Sequence, residues 1–145
     1  MRIFTLTVFA FATFAATQLS LASETNPVSS SATHSFVKKK YSIKGGWNIG
    51  TIDGQTVINF DEGFRTKSGP DLKVYLSKSK LSELTNDKVE SSSTKLSVLK
   101  ANKGQQSYII PAEIDLNEFQ SVVIHCEAFS VLWGGFDIAS NQTTP

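Results

Sequence analysis

The stretch Trp47 to Phe60, WNIGTIDGQTVINF, decides the fold class. Asp53-Gly54 stands between two β-prone runs, and this dipeptide is the strongest short-range signal for a β-hairpin, because both central residues of the tight turn need positive φ. The pattern continues on either side. Leu72-Lys73-Val74-Tyr75-Leu76 alternates after the turn residues Gly69-Pro70-Asp71, and Leu96 to Leu99 and Gln106 to Ile110 flank Lys100 to Gly104 (KANKG) as a second predicted hairpin. Ser121 to Cys126 and Leu132 to Ala139 supply the last strands. Short runs with turns every 8–12 residues or so predict an all-β fold: a single-domain antiparallel β-sandwich or a barrel-like closure. Only Ser77 to Lys88 and Ile114 to Phe119 suggest helical turns. Ser77 to Ser93 otherwise reads as a long polar loop, a common place for recognition.

The N-terminal stretch MRIFTLTVFAFATFAATQLSLA has a basic Arg2, an apolar run from Ile3 to Ala16 and small residues at Ser20 and Ala22. This is the pattern of a secretory signal peptide over residues 1–22. A membrane anchor fits less well, because the run is short of the roughly 20 residues a spanning helix needs. No later segment is apolar and long enough to cross a bilayer, and no cysteine follows the cleavage site to take a lipid. The chain is therefore expected to be exported to a periplasm, the extracellular space or a cell surface. Residues 23–40, serine- and threonine-rich, read as a flexible tether. A β domain follows over residues 41–140, and 141–145 form a tail.

Arg2 is the one charged residue of the signal, so the mature chain balances 13 basic against 13 acidic residues. The basic cluster Lys38-Lys39-Lys40 reads as a solvated run. With no basic stripe interleaved with aromatics, a nucleic-acid partner is excluded.

Cys126 is the only cysteine, so no internal disulfide can form. Period-2 alternation puts Val122, Ile124 and Cys126 on one face of their strand, and Val123, His125 and Glu127 on the other. His125 then points away from the thiol, and a cysteine–histidine nucleophile pair is not expected unless a bulge re-aims one of them. The apolar face suits a cysteine packed as a small hydrophobe.

No zinc, iron–sulfur, blue-copper or c-type haem ligand set is present, and no cofactor is evident. A metal or a b-type haem held by His125 alone is the one arrangement left open. No nucleophile elbow, phosphate loop or paired-histidine motif occurs, and the carboxylate pairs Asp61-Glu62 and Glu113/Asp115 read as turn residues, which favours a non-enzyme. Trp133, ahead of Gly134-Gly135, reads as core, with the glycines marking a bulge or a close backbone approach. Gly69 and Pro70 suit a sharp turn, and Asp71 is placed to hydrogen-bond the backbone just beyond.

Two segments taken together, Asn59 to Ser77 and Tyr108 to Ala139, resemble the DM-thirteen domain, a small extracellular β domain of Skeletor-like animal proteins that often accompanies DOMON cytochrome domains. The resemblance spans about Tyr41 to Ala139. It is carried by Gly69-Pro70-Asp71-Leu72 followed by Val74-Tyr75-Leu76, by Pro111 after a strand, and by the spacing from Cys126 to Phe129. It implies an all-β fold and a part in electron transfer or redox reactions, with the family's characteristic cysteine, Cys126 here, as the redox thiol and His125, Phe129 and Trp133 near it. A lone thiol can form a sulfenic acid or a mixed disulfide. Lacking a second thiol or a cytochrome segment, the chain would need a separate redox or envelope protein as its electron partner. The other reading is a binding or adhesion module of the cell envelope in which Cys126 is core filler and the Ser77 to Ser93 loop is the recognition surface.

Overall fold

The computed structural model describes residues 34–138. The predicted signal peptide, residues 23–33 of the tether and the tail lie outside the described residues. The strands are β1 (His34–Ser35), β2 (Val37–Lys38), β3 (Ile43–Lys44), β4 (Gly46–Ile52), β5 (Gln55–Phe60), β6 (Arg65–Thr66), β7 (Leu72–Ser77), β8 (Ser93–Val98), β9 (Gln106–Ile109), β10 (Ser121–Cys126) and β11 (Val131–Asp137). One short helix, α1 (Lys88–Ser92), and three single 3-10 turns complete the described residues.

All named pairings are antiparallel. One sheet runs β1-β4-β5-β9, the second β2-β11-β10-β7-β8, and β3-β6 form a small ribbon. The predicted hairpin is present: Ile52 pairs with Gln55, and Asp53 and Gly54 have φ of 50° and 76°, the double left-handed turn that matches strand twist. Alternation then sends Trp47, Ile49, Ile58 and Phe60 inward against Val74, Leu76, Val122 and Phe136 of the facing sheet. Trp47 and Phe136 stack at 3.7 Å across the interface. This is a sandwich with one aromatic-rich core.

Three expectations are corrected. First, the tether does not extend to residue 40. Residues 34–38 enter both sheets, β1 against β4 and β2 against β11, and Phe36 between them packs on Phe60, Phe64 and Phe136. Two-residue strands are too short to show a period, so a single part-buried phenylalanine is all that the sequence displays. Lys38 pairs with Gly134, and the amides of Lys39, Lys40 and Tyr41 all donate to the Trp133 carbonyl, so the lysine cluster rests on anchored backbone.

Second, β8 and β9 do not form a hairpin. β8 pairs with β7 and β9 with β5, so the KANKG segment crosses from one sheet to the other. Gly104 does take a left-handed φ of 84°, but a turn residue marks a change of direction and not which free edge the next strand finds.

Third, the Ser77 to Ser93 segment is not a free loop. Leu81, Leu84 and Val89 are buried with Tyr75, Val123 and Leu132, covering the outer face of the second sheet as a satellite core. Its backbone is pinned as well, since Leu81 N donates to Asp137 Oδ1 and Leu132 N to Asn86 Oδ1.

Candidate functional site

The site grows from β10. Its register against β7 is regular to the end, with His125 opposite Lys73 and Cys126 opposite Leu72. Against β11 it shifts: Ile124 pairs with Gly134 but His125 pairs with Leu132. Trp133 is therefore the extra residue of a bulge, and it lies in β11, so neither Cys126 nor His125 is re-aimed. The glycines after it serve a close approach. A Cβ at Gly135 would lie 2.2 Å from the Val122 carbonyl oxygen, and one at Gly134 2.6 Å from that of Val37.

Cys126 is fully buried in the sandwich core. Its cross-strand neighbours are Leu72 on β7 and Val131 on β11. Trp133 belongs to the same core cluster. A Cβ at Gly69 would meet Leu72 at 3.0 Å and the far tip of the Trp133 ring, Cη2, at 3.1 Å. The indole therefore leaves β11 and its tip ends beside the Gly69-Leu72 turn, whose Leu72 pairs with Cys126. Trp133 is 3 % exposed, packs against Tyr41 with ring centroids 4.0 Å apart and the planes tilted by 44°, and its Nε1 has no acceptor.

The Gly69-Pro70-Asp71-Leu72 turn thus has a physical meaning. Gly69 leaves room for the indole, Leu72 flanks the thiol, and the Asp71 carbonyl accepts from Glu127 N at 3.0 Å, fixing the turn that follows Cys126. The Asp71 side chain does not bond the backbone beyond it, as the sequence suggests; it pairs with Lys73 Nζ, whose pKa this hydrogen bond raises against the opposing effect of burial. Ser68, Gly69, Leu72, Leu99 and Asn102 line a cleft of about 300 Å³ outside the thiol. A larger cleft of about 640 Å³, beside Thr51, Thr56 and Asp115, contains none of the expected site residues.

The outer face of the same strand is different in kind. His125 is fully buried beneath α1, with Nε2 3.0 Å from Glu90 Oε1 and Nδ1 unpartnered. Its ring meets that of Tyr75 edge-on at 6.0 Å. The Tyr75 hydroxyl donates to Glu127 Oε1, which also receives Lys95 Nζ at 2.6 Å. Burial first, then the bond to Glu127, push the Tyr75 phenol well above its usual range. The hydrogen bonds from Lys95 and from Tyr75 hold the Glu127 carboxyl below its own.

Cys126 and His125 therefore lie on opposite faces, and no thiol–imidazole pair forms. Phe129 is 69 % exposed and points to solvent, so of the residues grouped with the thiol only Trp133 shares its core cluster. A haem iron at His125 would have to displace Glu90 or reach a buried Nδ1, so the residues present do not fit that group. Among the described residues no three histidine, cysteine, aspartate or glutamate side chains are placed to hold a metal, and no helix is long and apolar enough to cross a membrane. Sequence reading missed Glu90, Lys95 and Glu127 as partners of His125 and Tyr75. Glu90 shows only as a charge on a segment that reads as loop, and alternation puts Glu127 on the His125 face without giving its partners.

The family model described as electron transfer DM13 matches residues 35–138, well over half of the chain. Its first matched residue lies in β1, two strands ahead of the domain start predicted at residue 41. Neither a curated protein nor a solved structure matches the chain.

Proposed function

Because the chain belongs to the electron-transfer DM13 family, we propose that it serves an exported, redox-related role through Cys126, its single thiol. What supports this reading is the family-like motif beside the thiol: Leu72 pairs with Cys126 across the strands, the Gly69 position touches both Leu72 and the tip of the Trp133 ring, and a small cleft opens at Gly69 and Leu72. With no second thiol in the chain, the chemistry is a two-electron exchange with an external group, either oxygen addition to sulfur or a mixed disulfide with a separate redox or envelope protein. The N-terminal signal-like pattern supports export, and the compartment reached would be an oxidising one such as a periplasm or a cell surface. The role proposed is that of an electron-transfer protein and not of an enzyme, and it invokes no bound cofactor.

The full burial of Cys126 favours a second reading, a non-enzymatic binding module in which the thiol is core filler. Alkylation of Cys126 by small and bulky maleimides, in the folded and denatured chain, separates the two. The redox reading expects slow labelling of the folded protein that accelerates for the smaller reagent. Equal protection against both, by orders of magnitude, would overturn it and leave the binding module.

A further inference from the structure

We propose that the end of the sandwich closed by the β3-β6 ribbon is a docking face for an anionic lipid surface. The ribbon buries Ile43 and Thr66 and leaves Lys44 and Arg65 exposed, and Ile43 packs in the sandwich core. Lys44 stands directly opposite Arg65, and Arg65 opposite Lys103 in the segment that crosses between the sheets. Residues paired in this way point to the same side with Cβ atoms about 5 Å apart, so three exposed cations form one row. Lys67, two residues beyond Arg65, has its Nζ 4.9 Å from the centre of the Tyr41 ring, and Lys40 directly precedes that tyrosine. The sequence displays only the run Lys38 to Lys40; the fold brings the cations of the ribbon beside it.

Like charges directly opposite one another destabilise a sheet. Elsewhere the chain pairs its lysines, Lys73 with Asp71, Lys78 with Glu118 and Lys95 with Glu127. Among the described residues none of Lys40, Lys44, Arg65, Lys67 and Lys103 forms an ion pair, and neither does Glu62, the nearest acid along the chain before Arg65. Acids stand at the other end of the sandwich, Asp53 in the β4-β5 turn and Glu113 and Asp115 beside Thr51 and Thr56. With a net charge of only +1, the chain is thus polarised from end to end, and such a molecule turns its basic end toward a negatively charged plane. Four of the five unpaired cations are lysines, point charges on flexible stems that suit many phosphates at no fixed angle better than one shaped carboxylate site. The exposed large apolar side chains among the described residues stand outside the row, so attachment is electrostatic and yields to salt. This face does not involve Cys126 and stands whether or not the thiol is redox-active.

The test is cosedimentation of the mature chain with vesicles of phosphatidylcholine and phosphatidylglycerol, and with vesicles of phosphatidylcholine alone. We expect binding to the mixed vesicles only, and release as salt is raised. Each cation near such a surface is worth about fivefold in binding, so Lys44→Ser with Arg65→Ser should bind roughly thirtyfold more weakly, and Lys103→Ser alone about fivefold. Lys78→Ser with Lys80→Ser, the same change of charge beyond the far end of β7, should bind as the native chain does. Because Lys44 and Arg65 are exposed and repel each other, the unfolding midpoint of their double variant should hold or rise. Absence of binding to the mixed vesicles, equal binding to both kinds of vesicle, or an equal loss in the two double variants overturns the docking face. Binding to poly-glutamate with none to the mixed vesicles also overturns it, and assigns the row to an acidic protein instead.

Discussion

The two faces of β10 carry unlike chemistry a few ångströms apart. On the inner face Val122, Ile124 and Cys126 lie among apolar side chains, in a core cluster that also holds Trp133. On the outer face His125 sits in a web of charges, Glu90 on one side and Tyr75, Glu127 and Lys95 on the other, under a lid of Leu81, Leu84 and Val89. The inner face stores its stability in packing and the outer face in paired polar groups. A sulfur in the first environment is screened by packing from all but small reagents. A titratable group in the second responds to pH and salt. The strand therefore insulates the thiol from the charges one residue away.

The sharpest way to break this contrast is to open the inner face. Trp133→Ala removes an enclosed indole from the core cluster that holds Cys126, which should cost about 3–5 kcal/mol in denaturant unfolding. The folded fraction should alkylate at Cys126 much faster than the native chain. A loss under about 1 kcal/mol, the scale of a surface substitution, would mean that the indole does not close the core. Tyr75→Phe is the matched change on the outer face. It deletes one hydroxyl bonded to a carboxylate while Lys95 still holds Glu127, so the loss should be about 1.5 kcal/mol. Cys126 labelling should stay at the native rate. Faster labelling in Tyr75→Phe would show that the two faces are coupled after all.

The same contrast explains what could be read from the sequence. The inner face is legible because alternation is local: Val122, Ile124 and Cys126 announce one side of a strand, and Asp53-Gly54 announces the hairpin, without reference to any distant residue. The outer cluster is not legible in this way. Glu90 reaches His125 across 35 residues and Tyr75 reaches Glu127 across 52, and a lone glutamate in a polar segment carries no sign of the partner it will meet. The fate of β8 and β9 was hidden for a related reason, since each pairs with an edge that the turn between them does not specify. Leu81, Leu84 and Val89 are three isolated apolar residues, too few for a period, and their burial depends on the sheet beneath them.

The smallest expected effect sharpens the comparison from the solvent side. Glu127 has its pKa depressed in the fold, by Lys95 first and then Tyr75, from an ordinary value of 4.5. A depressed carboxylate lends stability that is fully present above the unfolded value and lost as the pH falls through the folded one. Unfolding midpoints should therefore decline as the pH drops from about 5 through the carboxylate range, and Glu127→Gln, which can still accept from Tyr75 but has no charge for Lys95, should decline less steeply. The Lys95 side chain is half exposed, so salt should narrow the difference between the two proteins. Parallel curves for Glu127→Gln and the native chain would mean that the acid sensitivity arises elsewhere. The labelling rate of Cys126, referred to a free thiol at each pH, should not follow this transition while the chain stays folded, because the group that titrates and the group that reacts lie on opposite sides of one strand.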